Sequence, residues 1–344
     1  MNFGHAALVQ ATACAGLGSP FMARLCSLFA QRLRPTFRVA DRVLNWPGDC
    51  SNQGDAVPLR LAAALHALVL QAKCPALCAA YPPNTADDQT LWSAVETAFS
   101  QHSSFILDWL ESPPQTNEVR RAAGLIPAFS TLAQEFGLPL ITSELGGSAG
   151  LNSNWPAYGL QLPGGRLGPE TPELMLSPDW SGPLPPLCRP GLKDRAACDL
   201  NPLSPASGPD RLRLMAYAWP DQPERLKRMH VALDMAAISG ITVEKADAAL
   251  WLKRRLAPTV QGAIHVVFHT IVWQYFPHKT AKTCLKLLQT AANRATPSAP
   301  LAWLRVETDG KPDGAPILLT IWPGNQTRSL GRMDFHGRWV QWAG

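Results

Sequence analysis

The chain lacks the features that mark several functional classes. There is no dense block of lysine or arginine. The 31 basic and 26 acidic side chains leave a formal charge of +5, and the basic clusters at 225–228 and 253–255 are short and sit in helical patterns. Such clusters read as solvated helix faces, so no nucleic-acid partner is expected. No apolar run approaches the roughly 18 residues of a membrane span, so no membrane partner is expected either. No lysine or arginine precedes Arg24, which leaves out the basic start of a secretory signal. The eight cysteines are scattered. Cys74 and Cys78 are spaced C-x-x-x-C, but no second pair lies near enough to complete a tetrahedral zinc site, and no metal is expected. Free thiols in apolar helical context indicate a reducing compartment, hence a cytoplasmic protein. No internal repeat is visible.

What is present is a chain of 344 residues, 46% hydrophobic and 17% charged, long enough for a main domain with a substantial appendage. Up to about residue 136 the patterns are helices and loops. Residues 6–15 and 20–33 carry apolar side chains at helical spacing, with Ser19-Pro20 as cap and first position. Residues 58–70 are rich in alanine and leucine and strongly helical, with His66 expected as a packed side chain. Pro82-Pro83 and Pro113-Pro114 close segments. The expected division is therefore a helical region over 1–113 and an α/β domain over 114–344.

That domain is organised around residues 138–152, L-P-L-I-T-S-E-L-G-G-S-A-G-L-N. A short apolar strand leads to Glu144, then to a loop with Gly146, Gly147 and Gly150, then to small residues at the expected start of a helix. Strand, glycine turn and helix are the layout of nucleotide-cofactor loops. Just upstream, Asn117 and Glu118 open a helix within 114–133, as caps or as ligand contacts. Downstream, strands alternate with helices, the signature of a parallel sheet. A Pro/Gly-rich insertion at about 160–190 reads as a surface excursion or hairpin. Strands follow over 195–203, ending at Asp199, over 241–246, ending at Asp247, over 263–268, ending at His269, and over 301–306. Two closing strands, 317–322 and 338–342, are joined by a polar connection. Asp221 or Gln222 is expected to cap the helix that begins with Pro223 and Glu224. Trp219, Asp221 and His336 read as packing or capping residues.

Acidic or polar residues thus fall at the carboxyl ends of successive strands, the edge where open α/β sheets bind ligands. This arrangement resembles the class I S-adenosylmethionine-dependent methyltransferases. Glu144, Gly146 and Gly150 match their glycine loop, Asp199 in C-D-L-N-P matches the second acidic position, and Asp247 in A-D-A the third. Two departures stand out: Ser148 replaces the central glycine, and Asp199 lies about fifty residues after the loop, where about twenty is usual for a dinucleotide unit. The resemblance implies a Rossmann-like, mostly parallel sheet. It also implies S-adenosylmethionine as cofactor, held by Glu144, Gly146, Gly147, Ser148, Gly150, Asn152, Asp199 and Asp247. His269 and Tyr275, after the fourth strand, then become candidates for catalysis or substrate positioning beside Asn117 and Glu118, with His269 as a general base. The substrate would be a small molecule or a protein, selected by the helical region.

Two alternatives remain open. One is a non-catalytic protein of the same fold that binds an adenosine-containing ligand or a partner. The other is a serine hydrolase, because Gly146-Gly147-Ser148-Ala149-Gly150 also satisfies G-x-S-x-G and is followed by Asp199 or Asp247 and then His269 or His336. Against the hydrolase, that fold places several strands before its serine whereas the first 136 residues here read as helical, and Glu144 beside Ser148 disfavours an alkoxide. The chain as a whole resembles the bacterial domain-of-unknown-function family 2332. The matching stretches include Gly18-Ser19-Pro20, L-R-L-A-A-A-L-H (59–66), Y-P-P (81–83), P-Q-T-N-E-V (114–119), S-E-L-G-G-S-A-G-L-N (143–152) and C-D-L-N-P (198–202). Y-A-W-P-D-Q-P-E-R (217–225), H-T-I-V-W-Q-Y (269–275), P-L-A-W-L-R-V-E (300–307) and H-G-R-W-V-Q-W (336–342) complete them. Thr270 stands where serine is expected in that family.

Overall fold

The computed structural model describes all 344 residues. The helices before the first strand are α1 (Phe3–Gly16), α2 (Pro20–Arg32), α3 (Arg38–Leu44), α4 (Val57–Leu70), α5 (Pro75–Ala80), α6 (Asp88–Gln101), α7 (Ser103–Leu110) and α8 (Ala122–Phe136). Those after it are α9 (Gly208–Ala216), α10 (Pro223–Ile238), α11 (Ala248–Arg255) and α12 (His278–Ala292). The strands are β1 (Leu140–Leu145), β2 (Tyr158–Leu162), β3 (Gly165–Leu167), β4 (Leu174–Leu176), β5 (Asp179–Ser181) and β6 (Leu192–Asp199). They continue with β7 (Val243–Lys245), β8 (Ile264–Thr270), β9 (Leu301–Val306), β10 (Ala315–Trp322), β11 (Gln326–Met333) and β12 (Trp339–Trp342). None of the helices is long and apolar enough to cross a membrane.

Two compact units result. One comprises Met1–Thr116 with Ser207–His230, the other Asn117–Ala206 with Val231–Gly344. The helical unit therefore takes in α9 and the start of α10, from a stretch expected in the α/β part. Its centre is α4, whose alanines and leucines leave no polar side to face water, so nearly the whole helix is buried. Arg60 is tolerated there because its guanidinium donates to the carbonyls of Asp55 and Leu110 at 2.6 and 2.8 Å. His66 Nδ1 meets the Ala216 carbonyl at 3.1 Å. Burial pulls its pKa down to about 4, so the ring is neutral and Nδ1 carries the proton it donates. Asp221 accepts from Ser19 Oγ at 2.5 Å and from the Phe21 N–H at 2.9 Å, completing the start of α2.

The second unit is a mixed α/β fold around one nine-stranded, mostly parallel sheet, in the order β5-β12-β11-β10-β9-β8-β1-β6-β7. The run β7-β6-β1-β8-β9 is parallel, β9 to β12 form an antiparallel meander, and β5 adds in parallel to β12. Within the parallel run the chain starts at β1, moves outward to β6 and β7, then returns to β8 and β9. That reversal leaves a topological switch point between β1 and β8. All six residues of β1 are buried, as a central strand covered on both faces requires.

Some local expectations are corrected. The segment after the glycine loop is a short 3-10 helix, Asn152–Ala157, because Pro156 and the asparagines cannot sustain an α-helix. The insertion does contain the expected hairpin, β2 with β3, to which it adds β4 beside β2 and β5 on the main sheet. The polar connection before the last strand is itself strand β11. Its outward residues are polar, so the pattern concealed a strand that pairs with β10 along nearly its whole length.

Candidate functional site

At the carboxyl end of β1 the chain turns sharply, with φ of +70° at Gly146, +52° at Ser148 and +74° at Gly150. A Cβ on Gly146 would lie 2.3 Å from Val272 Cγ2, and one on Gly147 would lie 2.9 Å from Ala197 Cβ. The two glycines are thus required by close approach of the protein to itself. Ser148 adopts the left-handed region at a cost of about 1 kcal/mol or more, a strain that the surrounding bonds must hold.

Those bonds engage every N–H group of residues 146–151. The N–H groups of Gly146 and Gly147 donate to the Cys198 carbonyl at 2.9 and 3.0 Å, and that of Gly150 to the Gly147 carbonyl at 2.7 Å. The Ser148 N–H donates to Asp199 Oδ2 at 2.9 Å. Those of Ala149 and Leu151 both donate to Asn117 Oδ1, at 3.2 and 3.0 Å. A ligand in this loop would therefore be held by side chains, not by free backbone donors of the kind that cradle phosphate. Two such side-chain atoms are present. Ser148 Oγ and Asn152 Oδ1 are buried and have no hydrogen-bond partner, a state that costs about 1–3 kcal/mol per group unless a water or ligand answers it.

The acids divide into three situations. Glu144 is buried beneath the loop and accepts from Ser153 Oγ at 2.5 Å. Burial, with a smaller push from Asp199 and against the pull of Ser153 and Arg121, raises its pKa from 4.5 to about 8. Asp199, at the end of β6, spends one lone pair on each oxygen, for the Ser148 N–H and for the Asn201 N–H, the latter at 2.9 Å. It is only partly buried and keeps acceptor capacity. Asp247 caps α11 through the N–H groups of Ala249 and Leu250 and accepts from Thr280 Oγ at 3.2 Å. Its place two residues beyond β7 makes it a helix cap and a tie to α12.

Glu144 makes stability pH-dependent in a defined direction. Its folded pKa lies above the unfolded one, so between about 4.5 and about 8 unfolding releases a proton. Stability then falls as pH rises through that window, at up to about 1.4 kcal/mol per unit. Glu144→Gln is expected to flatten this slope in urea denaturation; an unchanged slope contradicts the assignment.

Of the expected catalytic residues, Asn117 bonds the loop directly. His269 is fully buried, with Nδ1 2.6 Å from Glu307 Oε1 and Nε2 accepting from Trp303 Nε1 at 3.0 Å. Trp303 can only donate, so Nε2 is the acceptor and Nδ1 carries the proton shared with Glu307. Trp273 stacks on the ring at 4.9 Å between centroids. No lone pair is left for a general base, and that role is withdrawn. Tyr275 is exposed at 65% in a short 3-10 turn. Glu118 accepts from the Arg120 N–H at 3.2 Å and caps the turn before α8, whereas Asn117 braces the loop. The hydrolase reading fails on geometry: Ser148 Oγ bonds no histidine, and Asp199 engages the serine backbone instead. Ser153, Trp303 and Glu307 had no signal of their own in the sequence beyond lying in or beside the quoted motifs.

The protein-family model described as "Uncharacterized protein conserved in bacteria (DUF2332)" matches residues 5–342. The chain belongs to this family. The match takes in both units, so the helical unit and the α/β unit are parts of one family architecture. No curated protein and no solved structure matched the chain.

Proposed function

We propose that the α/β unit binds an adenosine-containing cofactor, foremost S-adenosylmethionine, at the carboxyl edge of β1 and β6, and that the protein is a methyltransferase-like enzyme. One observation carries the reading. Ser148 Oγ, in a loop whose N–H groups are all engaged, and Asn152 Oδ1, just beyond it, are orphaned and buried, next to a carboxylate with lone pairs to spare. Asp199 would accept ribose hydroxyls, while Ser148 and Asn152 would answer polar atoms of the ligand. Glu144 stays protonated below about pH 8, so it supports the loop without setting a negative charge under it. When bound, the cofactor supplies an activated methyl group on a sulfonium. The chain's share is alignment and exclusion of water, which methyl transfer chiefly needs.

A second reading is favoured by a different observation. His269 has both nitrogens engaged, which suits a non-catalytic binder of an adenosine ligand or partner on the same fold. Isothermal titration with S-adenosylmethionine and S-adenosylhomocysteine separates these outcomes from failure of both. Binding is expected, and Asp199→Ala should weaken it about tenfold or more through loss of charged hydrogen bonds. Transfer of a labelled methyl group to a component of a bacterial extract supports the enzyme, and binding without transfer supports the second reading. No heat from folded protein at saturating ligand rejects the adenosine site.

A further inference from the structure

From Ala248 to Val306 the chain contains no aspartate or glutamate. Both α11 and α12 lie in that stretch. They cover one face of the sheet together: Trp251 and Leu252 of α11 share a core cluster with Cys284 and Leu288 of α12 and with Leu145 and Val267 of the sheet. The bond from Thr280 to Asp247 joins their N-terminal ends. With the inner sides apolar, the outer sides are left to solvent. They carry exposed Lys253 on α11 and exposed Lys279, Lys282 and Lys286 on α12.

The α12 lysines recur at i, i+3 and i+7 and so form one stripe. Arg254 and Arg255 next to Lys253 are neutralised by Glu244 and Asp194. The four lysines have no acidic partner. Interleaved with them on the same outer sides are Leu250, 65% exposed, and Leu285, 45% exposed. Leu250 lies three residues before Lys253, and Leu285 three after Lys282.

We propose that this two-helix face docks the protein on an anionic lipid bilayer as a peripheral contact. The ammonium groups meet headgroup phosphates, and the two leucine tips enter the boundary with the acyl chains. The composition selects this occupant. Nucleic acid is gripped by arginine forks and stacked aromatics, whereas this face offers lysine point charges and aliphatic tips. The proposal is independent of the adenosine site.

Cosedimentation of the full chain with vesicles tests it. The protein is expected to pellet with mixed phosphatidylglycerol–phosphatidylcholine vesicles, to stay in solution with phosphatidylcholine alone, and to be released by salt. The K279Q/K282Q/K286Q variant should bind on the order of a hundredfold more weakly with its thermal midpoint unchanged, and L250A/L285A should also bind more weakly. The proposal is overturned by failure to pellet at low salt, or by undiminished binding of either variant. Binding of a single-stranded oligonucleotide with no vesicle binding overturns it too, in favour of a nucleic-acid surface.

Discussion

Asn117→Ala is expected to unfold the glycine loop or the whole α/β unit at markedly lower urea than the wild type. Asn117 Oδ1 is the acceptor for two N–H groups, those of Ala149 and Leu151, and all three residues are buried. Alanine leaves both donors without a partner and without water. At about 1–3 kcal/mol for each unsatisfied buried group, the loss is about 2–6 kcal/mol, a large share of the stability of an ordinary domain. The conservative variant separates this cause from a general packing defect. Asn117→Asp keeps an oxygen at the same place and should retain most of the stability. Equal losses in both variants would mean that the two N–H bonds are not what the residue supplies.

Gly146→Ala is expected to be nearly as costly, for two separable reasons. At φ of +70° an alanine pays about 1–2 kcal/mol for its Cβ. That Cβ would also sit 2.3 Å from Val272 Cγ2, well inside contact distance, so the turn after β8 has to move. Val272 is held by its N–H, which donates to both oxygens of Glu307 at 3.1 Å, and movement there disturbs the His269–Glu307 pair. Val272→Ala should therefore rescue part of the Gly146→Ala loss in a double-mutant cycle, leaving only the backbone share. Strict additivity of the two substitutions would show that the loop and the turn do not touch.

The loop was legible in the sequence because its requirements are local. A central strand buried on both faces must be apolar, and Gly146 and Gly150 occupy backbone conformations that favour glycine. Asp199 was legible as well, since it closes a strand whose direction follows from the one before it. What was hidden depends on partners far along the chain. Nothing near His269 announces that Trp303 and Glu307 take both its nitrogens. Nothing near Asp221 announces that it serves Ser19, about two hundred residues earlier, which is part of why residues 207–230 join the helical unit. Strand β11 was hidden for a different reason: half its side chains face solvent, so its pattern matches that of a connection. The family resemblance, carried by motifs in both units, proved the firmest guide to what the chain is.

The reading that joins these observations is that the carboxyl edge of β1 and β6 is a ligand site held together by side chains. Hydrogen exchange measured with and without S-adenosylhomocysteine addresses it most directly, because the loop's N–H groups report their own bonds. Added ligand is predicted to slow exchange at residues 146–151 and 199–203 and to leave the meander from β10 to β12 unchanged. Unaltered exchange in the loop at saturating ligand, or protection confined to another part of the chain, would contradict the assignment.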